Sequence, residues 1–357
     1  MDIPKKMKAV ILMGPNHFEV REVDTPIAGP EDVLIKVEAT AICSSDVSLI
    51  DKPWAMQPPY GEFIIGHEYA GVVAALGETV DEFQVGDRVA VEASYGCGRC
   101  MNCRLGNYTA CLNYGNLERG HRANGFTTNG GFAQYTANHI NTVHKIPDSL
   151  DFKEAALVTN LGCVLYGYQT TGGYIVGDNV VIIGPGPLGL VSVAAGRALC
   201  AGKIILTGTR DERLEMGKAM GADRVVNVKK EDAMEVVMEE TNGLGADLVI
   251  ESSGAEKGLQ TAIEMSKRMG KVLLLGYPEE PVSANFSIMG QKNIHIYSVR
   301  GEGWANCRRG VSMLARGEVS LKPLATHSFP MDDVQEAFDT FTGRIGGAIK
   351  VIVHPNA

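Results

Sequence analysis

The 357-residue sequence predicts a two-domain α/β protein: a β-rich first domain and a doubly wound parallel sheet with helices on both faces. Three observations lead there. Short apolar and β-branched runs broken by Gly and Pro fill the first 150 residues. From about residue 170, strand-like and helix-like runs alternate. Between the first of those strands and its helix lies a glycine-spaced turn, "GPGPLG" at 184–189.

The elements follow in order. "MKAVIL", "DVLIKVEATAI", "YAGVVAAL" and "DRVAVEA" read as strands of the first domain. "NVVIIG" (179–184) is a buried-strand run, and "PLGLVSVAAGRALC" (187–200) has the length and Ala content of a helix. "KIILTG" (203–208) is a strand, "ERLEMGKAMGA" (212–222) a helix, and "RVVNV" precedes the helical "EDAMEVVMEET". "ADLVIES" (246–252), "KVLLLG" (271–276) and "IHIYSV" (294–299) complete six strands. The tail holds a helix, "WANCRRGVSMLARG", and a last apolar strand, "AIKVIV" (348–353), expected to return to the first domain.

Composition narrows the function classes. Hydrophobic residues make up 45% and charged residues 21%, as in a soluble globular protein. A net charge of −9 provides no basic field for nucleic acid or anionic membrane. No apolar run reaches the ~18 residues of a membrane span. The opening "MDIPKKMKAV" has no apolar core of a signal peptide, so a cytoplasmic location is expected. Four of the eight cysteines cluster at Cys97, Cys100, Cys103 and Cys111, while Cys43, Cys163, Cys200 and Cys307 are scattered. Without a secretory signal, such a cluster reads as a metal site rather than disulfides.

Gly184, Gly186 and Gly189 have the G-x-G-x-x-G spacing of a dinucleotide turn, in its proper place between strand and helix. The first glycine permits the tight turn, the second lets backbone approach a pyrophosphate, and the third packs helix on strand. The helix N-terminus attracts the phosphates. An acidic residue at the end of the second strand would bond the ribose 2′-hydroxyl of NAD. Gly208 and Thr209 stand there instead, and Arg210 follows. A guanidinium binds a 2′-phosphate by charge-assisted bonds, so NADP is favoured over NAD. The opposing reading has Asp211 swing in to serve NAD while Arg210 is solvated.

"CGRCMNCRLGNYTAC" is C-x2-C-x2-C-x7-C, a spacing that closes a tetrahedral structural zinc shell. A [4Fe–4S] cluster also takes four cysteines, but nothing else in the chain suggests electron transfer. Cys43, in "ATAICSSDVS", is followed 24 residues later by His67 and Glu68 in "IIGHEYAG". Cysteine, histidine and carboxylate are a catalytic-zinc set. Taken singly, Cys43 reads as a small buried hydrophobe and His67 as a satisfied core histidine.

The succession "CSSD", "GHEYAGVV", "VGDRVAV", the four-cysteine lobe, "GGFAQY" and the glycine turn resembles the zinc-containing medium-chain dehydrogenase/reductase superfamily over nearly the whole chain. "YSVRGEGW" and "LKPLATHSFPMDDVQEAFDT" are most similar to its sorbitol (L-iditol) and threonine dehydrogenase branch. The resemblance implies a GroES-like catalytic domain at 1–158 and 300–357, with a zinc lobe at about 95–115, and a Rossmann domain at 159–299, the active site lying between them. It implies that Cys43 and His67 ligate the catalytic zinc and that Glu68 ligates it or swings away. It makes Ser45 the hydroxyl that takes the alcohol proton and Asp46 the acid that orients His67; Lys350 resembles a base that approaches Glu68. Pro187, Leu188, Arg213, Ser298, Val299 and Arg300 match cofactor contacts, and the segment around Trp54 lines the substrate pocket.

Two departures stand out. Relatives carry an acid in a Glu-Pro-Leu pattern where this chain has Thr159, a poor zinc ligand placed at the substrate. Ser48 stands where many relatives have the histidine of the proton relay. Three zinc arrangements follow: Glu68 ligates with Cys43 and His67, Cys163 is recruited, or the site holds zinc weakly. The function implied is zinc-dependent hydride transfer between the secondary alcohol of a polyol, sugar alcohol or related small alcohol and NADP or NAD, giving a ketone, in a homo-oligomer (dimer or tetramer). A zinc-free quinone or enoyl reductase fits poorly, because that branch lacks these cysteines. The remaining alternative is an impaired NADPH-binding sensor or structural protein, supported by Thr159.

Overall fold

The computed structural model describes every residue except Met1, Ala55 and Trp304. It contains two compact units, Met1–Gly162 with Gly301–Gly317 and Leu321–Ala357, and Cys163–Arg300 with Glu318–Ser320. The sequence places the borders at 158/159 and 299/300; the compact units divide at Gly162/Cys163, within the helix Val158–Thr170, and at Arg300/Gly301.

The first unit opens with β1 (Lys6–Gly14), β2 (His17–Asp24), β3 (Asp32–Ala41), α1 (Ser44–Asp51), β4 (Phe63–Ile64), β5 (Tyr69–Leu76), β6 (Arg88–Val91) and β7 (Ser94–Tyr95). It continues with α2 (Met101–Arg104), β8 (Arg122–Ala123), β9 (Tyr135–His139), β10 (Val143–Lys145), α3 (Phe152–Ala156) and α4 (Val158–Thr170). Strand β3 is the spine of its sheet. Val33, Ile35 and Val37 enter one apolar cluster with Tyr69 and Val89, while Leu34 enters another with Ile11 and Phe132. That is the period of two expected of a strand buried on both faces.

The second unit holds β11 (Asn179–Ile183), α5 (Pro187–Ala198), β12 (Lys203–Gly208), α6 (Asp211–Ala219), β13 (Arg224–Asn227), α7 (Ala233–Glu240), β14 (Ala246–Glu251), α8 (Gly258–Met265), β15 (Ser266–Leu274), α9 (Phe286–Lys292) and β16 (His295–Ser298). Its six strands are parallel in the order β13-β12-β11-β14-β15-β16. The order reverses between β11 and β14, the switch point outside whose carboxyl ends open α/β sheets bind ligands.

The chain then returns to the first unit through α10 (Asn306–Ala315), β17 (Ala325–Pro330), α11 (Val334–Gly343) and β18 (Lys350–His354). The larger sheet there runs β10-β6-β5-β3-β18-β17, with β9 also on β3. The last strand therefore lies beside the spine, antiparallel to β3 and parallel to β17. Among the described residues no helix is long and apolar enough to cross a membrane.

Candidate active site

Backbone pairing brings three distant segments together in the first unit. The Ala41 N–H donates to the Glu68 carbonyl at 2.8 Å, and the Ile42 N–H donates to the Val351 carbonyl at 2.9 Å. The end of β3, the approach to β5 and the start of β18 are thus adjacent. Gly66, just before His67, has φ +97° and lies so near Phe132 that an added Cβ would sit 2.4 Å from its ring. A side chain there would displace the histidine turn.

Cys43 is the N-cap of α1 and Asp46 its N3 residue, in a capping box. Asp46 Oδ2 accepts from the Cys43 N–H at 2.8 Å, and its Oδ1 lies 3.1 Å from His67 Nδ1. One fully buried carboxylate therefore fixes both the cysteine's backbone and the histidine's tautomer, with the proton on Nδ1 and Nε2 turned to the site. Ser45 Oγ stands 3.2 Å from that Nε2 and 3.2 Å from Cys43 Sγ. Burial disfavours a charged His67, but Asp46, with help from Cys43, outweighs it and holds the ring well above its ordinary pKa. A bound cation would compete with that proton.

Glu68 completes the group. Ligand atoms of Cys43, His67 and Glu68 lie within 4.8 Å of one another, and thiolate, imidazole and carboxylate form a donor set suited to zinc. Lys350 Nζ donates to Glu68 Oε1 at 2.7 Å and to Oε2 at 2.5 Å, with both side chains 2% exposed. Burial works against the ammonium, and Glu68 more than offsets it, so Lys350 stays charged with a raised pKa. Asn160 Nδ2 also donates to Glu68 Oε1, at 2.6 Å. The sequence reading did not single out Asn160; its only signal is that it adjoins Thr159 where relatives have Pro after the acid. Thr159 itself is buried, its hydroxyl 3.4 Å from the Asn160 amide.

An aromatic wall flanks His67. The Phe126 ring centroid lies 4.5 Å from that of His67, and Trp54 stacks on Phe126 at 5.1 Å. Phe126 was also missed; it lies in the glycine-rich 115–131 stretch, whose sequence marks a loop but no ring position. His121 of the same stretch is buried and accepts from the Gly115 N–H at 3.0 Å. Ser48 is exposed and donates to the Ser44 carbonyl at 3.2 Å. Cys163 lies in the second unit.

The four-cysteine lobe fits its expected metal. Cys97 Sγ and Cys103 Sγ are 3.9 Å apart, as are Cys100 Sγ and Cys111 Sγ. A tetrahedron of zinc–sulfur bonds near 2.3 Å has an edge of about 3.8 Å. Backbone N–H groups of Cys100 and Cys103 donate to the Cys97 and Cys100 sulfurs at 3.3 and 3.4 Å, and Asn113 Nδ2 donates to Cys97 at 3.1 Å. Against the opposing effect of burial, the Asn113 amide and the backbone N–H groups of Arg99 and Cys100 bring the Cys97 thiol down to about 6, whereas burial pushes the Cys103 thiol up to about 12.

In the second unit, Gly184 takes φ +100°, and a Cβ at Gly189 would lie 1.9 Å from the Gly184 carbonyl oxygen. A Cβ at Gly186, the N-cap of α5, would meet nothing within 4 Å. The first and third glycines are thus demanded by packing, while the second borders the open space a pyrophosphate needs. Pro187 and Leu188 begin α5, and Ser252, just past β14, ties this turn by donating to the Gly184 carbonyl at 2.9 Å. Gly208 ends β12 against Pro185; Thr209 is exposed; Arg210 caps α6, which carries Arg213. Asp211 accepts from Asn227 and from Lys230, each at 2.7 Å, and these bonds hold its carboxyl below its ordinary pKa. Ser298 ends β16, the Val299 carbonyl accepts from the Tyr277 hydroxyl, and Arg300 follows.

Comparison with known proteins gives the family. The alcohol dehydrogenase GroES-like domain family matches residues 29–148, and the zinc-binding dehydrogenase family matches 187–316. The chain is 34% identical to the sorbitol dehydrogenase of Bacillus subtilis (strain 168), with 99% of each covered. It is 36% identical to the L-threonine 3-dehydrogenase of Pyrococcus horikoshii, with 98% of each covered. A solved chain described as a zinc-binding dehydrogenase, from Sinorhizobium meliloti 1021 and bound to NADP, superposes with a TM-score of 0.89 at 28% identity, covering 99% of this chain and 100% of that one. The chain therefore belongs to the zinc-containing medium-chain dehydrogenase/reductase family, in its sorbitol and threonine dehydrogenase branch, and is an NAD(P)-dependent alcohol dehydrogenase.

Proposed function

We propose that the enzyme interconverts the secondary alcohol of a polyol, sugar alcohol or related small alcohol with its ketone, using NADP, and that Cys43, His67 and Glu68 hold its catalytic zinc. The observation that carries this is the convergence of those three ligand atoms within 4.8 Å, with the Ser45 hydroxyl 3.2 Å from two of the ligand atoms. When bound, zinc supplies a Lewis acid that lowers the alcohol pKa, and the nicotinamide supplies the hydride acceptor. Ser45 accepts the alcohol proton and passes it to water near Ser48. Asp46 holds His67 in the ligating tautomer. Trp54 and Phe126 limit the size of the substrate.

Glu68 serves in place of the acid missing at Thr159. A carboxylate offers about four lone-pair sites. Lys350 and Asn160 occupy three, which leaves one on Oε2. The Glu68→Gln variant is expected to release zinc to a chelator at least about tenfold more readily than wild type. Unchanged retention in a chelator titration would assign the position to another group.

For the cofactor, Asp211 is held by Asn227 and Lys230 and does not supply the acid that NAD would need. Arg210, the N-cap of α6, is the cation that would meet a 2′-phosphate. Losing one or two charge-assisted bonds in Arg210→Ala should raise KM for NADP by about 10–100-fold and leave KM for NAD nearly unchanged. Initial rates with both cofactors measure this.

The deciding experiment is a panel of polyols and keto-sugars with NAD(H) and NADP(H), followed by absorbance of the reduced cofactor. Faster NADP-linked polyol turnover is expected. Faster NAD turnover would overturn the role of Arg210. Intact NADPH binding with no alcohol oxidised would favour the sensor reading, for which the neutral Thr159 is the motive. The expected homo-oligomer has its support in β16, which ends the parallel sheet with one edge unpaired among the described residues. A monomer by light scattering would reject it.

A further inference from the structure

A third group of metal-binding side chains lies in the first unit, apart from both zinc sites. Glu92 follows β6, His144 lies on β10 and Cys307 on α10. One ligand atom from each lies within 4.8 Å of the others. Strands β6 and β10 pair antiparallel, and the Glu92 N–H donates to the Thr142 carbonyl at 2.7 Å, which fixes Glu92 beside His144. Glu92 and Cys307 are buried, and the His144 side chain is 17% exposed.

An independent observation points to a missing ligand here. Glu302 is 2% exposed, and its Oε2 has no hydrogen-bond partner. Cys307 and Glu302 also press on one point: a Cβ on Gly162 would lie 2.9 Å from Cys307 Sγ and 3.0 Å from Glu302 Cβ. Among the described residues, neither Glu92 nor Glu302 is paired with a lysine or arginine. A buried carboxylate oxygen without a partner, as on Glu302, is a costly arrangement.

We propose that Glu92, His144 and Cys307 bind a divalent cation of the zinc class. His144 Nε2 and Glu92 Oε2 are 3.0 Å apart. The edge of a tetrahedral shell with zinc–nitrogen and zinc–oxygen bonds near 2.0 Å is about 3.3 Å. The pair needs to open by only a few tenths of an ångström. Mixed sulfur, nitrogen and oxygen donors select zinc over magnesium or calcium. The Tyr108 hydroxyl donates to Glu92 Oε1, the outer support that ligating carboxylates usually have. Three protein donors from β6, β10 and α10 would tie α10 to the edge of the sheet.

Zinc is counted per chain by mass spectrometry on the zinc-saturated, gel-filtered enzyme. The wild type is expected to hold one zinc more than Cys307→Ser, and His144→Gln is expected to show the same loss. Cys43→Ser should lose a different equivalent, so that the Cys43→Ser/Cys307→Ser double variant lacks two. Equal counts in wild type and Cys307→Ser overturn the proposal. If the Cys307 and His144 variants fail to fold, Cys43→Ser decides: cobalt reconstitution leaves two equivalents per chain if the site exists and one if it does not. The count does not depend on whether a polyol is the substrate, so failure of that reading leaves this one standing.

Discussion

Replacing Lys350 with Met is expected to destabilise the protein by about 3–5 kcal/mol, the cost of leaving one member of a buried ion pair without its partner. Lys350 and Glu68 are both 2% exposed, and the ammonium contacts both carboxylate oxygens. The double variant Lys350→Met/Glu68→Gln removes the stranded charge and should recover most of the loss. Unfolding in urea, compared between the variants, measures it. A change below about 1 kcal/mol in the single variant would mean that water reaches Glu68. Because zinc on Glu68 would supply the missing positive charge, the loss should be larger after chelation than before. Equal losses with and without metal would place Glu68 outside the zinc shell.

Asp46→Ala should lower both kcat/KM and catalytic zinc affinity by about 10–100-fold, the usual effect of removing the group that orients a metal-bound histidine. It also removes a helix cap, at a cost of about 1 kcal/mol. Asp46→Asn separates the two effects. An asparagine oxygen can still accept from the Cys43 N–H, so α1 should keep its stability. Its amide can donate to His67 Nδ1 and favour the tautomer with Nε2 protonated, which cannot ligate. Activity should therefore fall while the unfolding midpoint stays put. Steady-state kinetics paired with zinc content checks this; kcat/KM within about twofold of wild type in both variants would remove Asp46 from the site.

How legible these features were in the sequence depended on how local they are. The six parallel strands stand out because each is a short apolar run followed by a helical pattern. Cys97 to Cys111 and Gly184 to Gly189 are legible because the chemistry fixes their spacing over a few residues. Cys43 and His67 gain meaning through family resemblance, since 24 residues separate them. Asn160 and Phe126 left no comparable mark. Asn160 reaches Glu68 across 92 residues of chain, and nothing near either residue encodes that contact. The Glu92, His144 and Cys307 group is similarly spread over β6, β10 and α10. Only packing of the tail onto the first strands assembles it.

The position of β18 beside β3 has a consequence for synthesis. Lys350 and its strand are translated long after Glu68 and β3. All strands of the parallel sheet leave the ribosome before that lysine is made. Domains generally fold as units during translation. Here the nucleotide-binding unit can close first, while β3 waits with an exposed edge and Glu68 without its lysine. A chain truncated before residue 348 would then keep a folded cofactor half beside a catalytic half that chaperones and proteases still treat as unfinished.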